Sequence, residues 1–543
     1  MQPSMKRNTI CFLVLLITSL FFGQNNTIYP KWIRTPDNGD GTYTNPIINS
    51  DYSDPDAIRV GNKFYMTASS FNCIPGLPIL ESDDLVNWKL ISYALNQQKP
   101  EEVYDLPQHG KGVWAPCIRY HKKEFYIYYP DPDFGIYMIK SQKPEGPWSE
   151  PIMVKSGKGL IDPSPLWDDD GKAYLVHAFA GSRAGIKNML VVSTMNSEGT
   201  IANNDDVLLI DGHQDEPTME GPKIYKKNNY YYIFAPAGGV ATGWQTVLRS
   251  KNIYGPYEKR KVLDQGKTEI NGPHQGAWVQ TKSGEDWFLH FQDKGVYGRV
   301  VHLQPMKWIN DWPIIGIDED HDGIGQPVIT YKKTNIGKSF PINSPPDSDE
   351  FNDPKLGLQW QWHANPQINW GFPSKMGYFM LNCIPKPKEA VNLFDIPNLL
   401  LQKTPNDTFT ATAKLQFDSH FDGEEAGFVM MGLDYTYLKI KRENGKIYLS
   451  QVTCTNAIKK EAEKETDKIE IRNNLIYMQV KVVENGSCTF SFSEDGTNFK
   501  TIGKPFTVKE GRWIGAKLGF VALREGFIND AGNIKIDWIR FNK

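Results

Sequence analysis

Along the first three hundred residues the chain repeats one hydrophobic grammar. A polar turn is followed by a short run of alternating or continuous aromatic and aliphatic residues. A second strand and a turn holding Trp, Pro or Gly come next. The opening strands are residues 62–67 (NKFYMT), 123–128 (KEFYIY), 170–176 (DGKAYLV), 229–234 (NYYYIF) and 285–291 (EDWFLHF). The matching turns fall at residues 84–88, 145–148, 197–199, 253–257 and 306–308. The spacing is about 50–60 residues, enough for a four-stranded sheet with its turns, and no long 3.6-residue periodicity interrupts it. The pattern predicts five blades of a β-propeller, with the first strand of each blade along a central channel.

The repeats stop near Tyr331. Residues 336–348 are rich in Pro, Ser and Gly and read as a linker. Beyond it, alternating runs at residues 409–413, 427–431, 437–440, 478–482 and 488–492 predict a second all-β domain, a sandwich over residues 349–543. The charged run 459–468 reads as a solvated loop or hairpin edge. At the other end, Lys6 and Arg7 precede an apolar run, residues 10–22, too short for a comfortable membrane span. Residues 1–23 are therefore expected to be a signal peptide, the propeller to occupy 24–335, and the mature protein to be periplasmic or extracellular.

Composition removes several classes of function. A net charge of −3 gives no basic field for nucleic acid or an anionic membrane. Fifteen Trp and twenty-five Tyr suit stacking on sugar rings, and equally suit an all-β core. Once the signal is removed, Cys73, Cys117, Cys383, Cys454 and Cys488 remain; their scatter predicts buried free thiols, with no zinc spacing.

Three acidic motifs carry the chemistry. Asp54 lies in residues 53–56 (SDPD), Asp162 in residues 160–165 (LIDPSP) and Glu220 in residues 218–222 (TMEGP). Each acid adjoins Pro or Gly just before a strand of a different blade, where the backbone is stiff or unusual. One Asp-Pro is a turn; three such acids opening three blades suit glycoside hydrolysis. An inverting enzyme sets an acid and a base about 6.5–9.5 Å apart, with water between base and sugar. A third carboxylate beside the acid raises its pKa.

With these motifs in order, the chain resembles glycoside hydrolase family 43 in its β-xylosidase/α-L-arabinofuranosidase branch. The matching stretches are residues 52–60 (YSDPDAIRV), 112–116 (GVWAP), 161–164 (IDPS), 220–222 (EGP) and 272–274 (GPH), with the C-terminal domain from residue 350 to residue 539. The resemblance implies a five-bladed propeller followed by a concanavalin-like sandwich, and removal of terminal xylose or arabinofuranose with inversion. It casts Asp54 as base, Glu220 as acid and Asp162 as the group that orients Glu220 and raises its pKa. It places Phe71 and Trp114 in the walls of the sugar pocket and Arg299 on sugar hydroxyls, where core packing and a structural ion pair are the alternative readings. His274 matches a histidine that holds calcium in some relatives; no metal is expected to be required. Trp244, Asp131 and His290 are candidates for outer subsites.

The resemblance departs in two places. Cys117 stands where the family often has Asp. Residues 515–519 read GAKLG, so Lys517 replaces a Phe that relatives send towards the pocket. A retaining fructosidase would want Arg-Asp-Pro and Glu-Cys motifs, and neither occurs. A non-catalytic sugar-binding protein on the same scaffold would have lost one of the three acids, and all are present.

Overall fold

The structure is a computed structural model that describes residues 32–527 and 529–543. The expected signal segment lies outside the described residues. Among them, five four-stranded antiparallel sheets follow one another in sequence, each with its strands in chain order. Their innermost strands are Asp56–Val60, Cys117–His121, Leu160–Trp167, Lys223–Lys227 and His274–Gln280. This is the five-bladed propeller expected from the repeats, but the repeated aromatic runs form the second strand of each blade, as Lys63–Thr67 does in blade one, and not the channel strand.

The blades explain the aromatic excess. Middle strands such as Glu124–Asp131 and Ala173–Phe179 are buried on both faces, hence their nearly continuous apolar runs. Outer strands such as Val207–Asp211 are exposed or half-exposed. Aromatic rings fill the gaps between blades: Phe234 of blade four lies against Trp278 and Phe288 of blade five, with centroids 6.3 and 5.8 Å apart. The ring closes through the N-terminal segment. Thr42–Thr44 pairs with Thr330–Lys332, and the Asn45 amide bonds Leu303 and Val328. Tyr43, Ile47 and Ile48 pack into the core shared by blades one and five.

Buried polar groups tie the inner strands together. Asp56 accepts hydrogen bonds from Ile118 N and Arg119 Nη1, both at 2.8 Å. Arg119 reaches Ser164 of blade three, which also accepts from Ile224 N of blade four. Cys117 is fully buried beside Ser164, and burial pushes its thiol up to about 12. Lys223, across the channel, donates to the Pro116 carbonyl at 2.9 Å. All five cysteines are buried and unbridged.

The second domain is a sandwich of two mainly antiparallel sheets. One runs through Phe409–Asp418 and Asn533–Asn542, the other through Glu425–Met431 and Lys517–Arg524. Phe409–Asp418 alternates buried and half-buried at every position, as a sheet with one face on the core should. Backbone bonds dock the sandwich on the propeller: Ile74 pairs with Trp362 in both directions, and Ala516 N bonds Val296 O at 2.7 Å.

Candidate active site

The three acids reach the channel by one local device. Asp54 and Asp162 take left-handed φ values of 54° and 57°, Gly221 follows Glu220 at 60°, and Gln275 sits at 31°. The register of the inner strand slips at Ile161/Ser164 and at His274/Gly276. A left-handed residue in a bulge turns the side chain out of the sheet alternation, and Asp tolerates this better than most residues. Asp54 and Asp162 adopt the strained conformation themselves, whereas beside Glu220 it is Gly221 that adopts it.

Asp54 is 6% exposed. Its Oδ2 accepts from Ser53 Oγ at 2.9 Å and Ser69 Oγ at 2.5 Å. Oδ1 faces only Arg299 Nη1, at 3.4 Å. Arg299 donates at 2.9 Å to Ser53 Oγ and lies 4.8 Å above the Phe291 ring. One oxygen of Asp54 is thus committed to hydroxyls and the other is left open for chemistry.

Asp162 accepts from Gly221 N at 2.7 Å and from the Gln275 side chain. The bond to Gly221 fixes the residue next to Glu220, so Asp162 holds the backbone that carries the acid. Both carboxyls are raised. Burial, then the charge of Asp54, lifts Asp162 to about 6, against the Gly221 bond and Lys223. Burial, then the charges of Asp162 and Asp54, lifts Glu220 to about 8, against Arg299 and Lys187. Glu220 keeps the proton the pair shares, because Asp162 has an N–H donor that favours its ionised form. About a third of the Glu220 side-chain surface (34%) stays open, so the acid can meet a ligand.

His274 Nε2 stands 3.5 Å from Glu220 Oε1. Burial, then Arg299, lowers its pKa to about 3, so the ring is neutral. Neither ring nitrogen has a protein hydrogen-bond partner. The donor set for an ion here is one imidazole and the carboxyl of Glu220. A calcium ion seeks roughly six to eight oxygen ligands, which these side chains do not supply. Among the described residues the side chains grouped closely enough to share an ion are Asp318, Asp320 and Asp322, on a separate loop.

The aromatic residues form one wall. Phe71 is 3% exposed at φ 51° and lies 6.4 Å from Trp114. Trp114 packs beside the apolar cluster of Ile161 and Met219, the neighbours of Asp162 and Glu220, with Arg183 5.2 Å over its ring. The sandwich extends this wall by a residue absent from the sequence-based candidates. Trp513, 42% exposed at φ 65°, meets Trp114 edge-on at 6.2 Å. Nothing local marks Trp513, because its partner lies four hundred residues earlier. Gln275 and Ser69 were likewise hidden, the first beside a more conspicuous histidine and the second two residues before Phe71.

Other candidates are engaged in contacts within the protein. His290 is fully buried inside blade five, stacked on His302 and bonded to Gln304, because alternation on a middle strand points it between blades. Asp131 is buried and accepts from Tyr104 OH. Trp244 bonds Glu216 at 3.1 Å under Lys261. Lys517 does not cap the pocket: it is 4% exposed and donates to Cys73 Sγ at 3.0 Å and Gln361 Oε1 at 3.2 Å.

A propeller whose channel gathers two or more buried carboxyls beside an arginine and an aromatic wall is the scaffold of a glycoside hydrolase. Comparison with known proteins makes the class specific. The family model for glycosyl hydrolases family 43 matches residues 43–313, and that for the beta xylosidase C-terminal concanavalin A-like domain matches residues 348–542. A putative beta-xylosidase of Xylanibacter ruminicola is 38% identical over 89% of this chain and 86% of its own length. A non-reducing end alpha-L-arabinofuranosidase of Bacteroides ovatus is 30% identical over 76% of this chain and 79% of its own. The crystal structure of a mutant family-43 protein from Bacillus licheniformis, 26% identical, superposes with a TM-score of 0.80 over 92% of this chain and 99% of that one. The chain belongs to glycosyl hydrolase family 43 and is a glycoside hydrolase.

Proposed function

We propose that this protein is an exported, inverting exo-glycosidase that removes terminal β-xylosyl or α-L-arabinofuranosyl units from hemicellulose or its oligosaccharides. The observation that carries it is the convergence of Asp54, Asp162 and Glu220 from three blades with Arg299 as the cation hydrogen-bonded within the group. The relatives above, one named a beta-xylosidase and one an arabinofuranosidase, support the pentose. No helix among the described residues is long and apolar enough to cross a membrane.

In this reading Glu220, protonated at neutral pH, donates to the departing glycosidic oxygen. Asp54 takes a proton from water through Oδ1, since Ser53 and Ser69 occupy Oδ2. Water attacks the anomeric carbon from the face opposite the leaving group, and the configuration inverts. Asp162 stays ionised, holds Gly221 and keeps Glu220 protonated. Arg299 and Gln275 present donors to sugar hydroxyls, and Phe71 and Trp114 close the apolar side. A wall built from both domains suits single terminal units. Binding without catalysis is disfavoured, because a binding site has no need of an acid held protonated.

Proton NMR of the first product from aryl β-xyloside and aryl α-L-arabinofuranoside tests the reading. The expected first product carries the opposite anomeric configuration from its substrate. Retained configuration, or mid-length fragments from a polymer, would sink it.

A further inference from the structure

Asp51 lies three residues before Asp54 and has no part in the chemistry above. It is 4% exposed. Its Oδ1 accepts from Arg299 N at 2.9 Å, and its Oδ2 accepts from Gly515 N at 3.0 Å. Its carbonyl accepts from Lys403 Nζ, whose pKa burial lowers to about 8. Tyr52 N donates to Arg299 O at 2.9 Å. One buried carboxylate therefore joins three segments: the loop bearing Ser53 and Asp54, the start of the blade-five strand Arg299–Ile309, and the sandwich loop that enters Lys517–Arg524.

The junction has no slack. A Cβ on Gly298 would fall 2.5 Å from Asp51 Cγ, and a Cβ on Gly515 would fall 2.7 Å from Gly298 N. A buried carboxylate is costly unless well paired. This one spends both oxygens on backbone N–H groups, one from each domain, while the nearby lysine bonds its carbonyl instead. A packing role alone would be met by an apolar side chain.

Building on the functional reading above, we propose that Asp51 is a positioning residue, through which the docked sandwich sets where Arg299 stands relative to Asp54 and Glu220. The sandwich is then part of the catalytic apparatus without touching the substrate at this point. Asp54 itself is held independently by Ser69. Loosening the clamp thus moves Arg299 and leaves the base in place.

Asp51→Asn keeps the shape but turns an NH2 group towards one of two N–H donors, so one arm is lost. Gly515→Ala strains the same junction from the sandwich side. Val480→Ala, in the sandwich core away from the junction, is the control for general destabilisation. For both junction variants kcat on an aryl xyloside should fall about 10- to 100-fold, the scale of a small misplacement, with KM nearly unchanged. The groups facing Glu220 are Asp162, Asp54, Arg299, Lys187 and His274. Withdrawal of Arg299, which favours the ionised acid, should move the alkaline limb of kcat/KM to higher pH. Amide hydrogen exchange over residues 297–301 should quicken in both junction variants and not in Val480→Ala, a readout that needs no substrate. Unchanged exchange in the junction variants overturns the proposal whatever the activity. So does a parental kcat and pH limb, or a Val480→Ala variant that reproduces the kcat loss and limb shift. Absence of pentosidase activity in the parent, with exchange behaving as expected, would instead reject the functional reading.

Discussion

The propeller channel and the edge of the sandwich use the same residue types in opposite ways. At the edge, Lys464–Ile471 is largely exposed, and its charges pair across strands: Lys439 with Glu465, Lys446 with Glu470, Lys468 with Glu443. The Lys468 hydrogen bond holds Glu443 below the usual carboxylate range. In the channel, Asp54 stands 3.4 Å from Arg299, and burial with mutual repulsion raises Asp162 and Glu220. An acid with its own cation in water is a solubility and register device that also protects an edge strand. An acid crowded by other carboxyls and without a private cation is held ready to exchange a proton.

That contrast can be broken by mutation, most severely at the base. Asp54→Ala should lose roughly 10⁴-fold in kcat on every substrate, since no leaving group replaces the activation of water. Glu220→Ala should lose as much on xylo-oligosaccharides. On an aryl glycoside with an acidic phenol the loss should be smaller by roughly 10²-fold or more, the scale of general acid assistance. Equal loss on both substrates would remove Glu220 from the acid role. Asp162→Asn should act through pH. Activity requires Glu220 protonated, so the alkaline limb belongs near pH 8 in the parent. Removing the neighbouring negative charge lowers the Glu220 pKa, and the limb should move to lower pH with the fold intact; an unmoved limb would show that Asp162 does not govern the acid.

Smaller effects sharpen the same comparison. Trp513→Ala should reduce kcat/KM on xylo-oligosaccharides by about 3- to 10-fold, the worth of one aromatic contact, and leave aryl xylosides nearly unchanged. Equal loss on both would make Trp513 a packing residue. Glu443→Gln at the sandwich edge should change stability by less than about 1 kcal/mol and leave kcat unaltered, checked by thermal unfolding and steady-state rates.

The local part of this protein was open to reading from the chain. Each blade is a contiguous stretch, so its turns and runs are visible as a repeat. The sandwich strand at residues 409–413 alternates as its burial does. Asp54, Asp162 and Glu220 were legible because each stands beside a Pro or Gly at a strand entrance, and such neighbours are short-range facts. What tertiary structure alone decided is every relation across blades or domains. Asp51 and Gly515 are 464 residues apart, and Trp114 meets Trp513 only because the domains dock. His290 and Lys517 could equally have faced a sugar until folding turned one between blades and the other onto Cys73. The raised pKa of Glu220 belongs to the same class. It arises from desolvation and from Coulomb forces between groups brought close by folding, and both depend on distances that no local pattern of residues encodes.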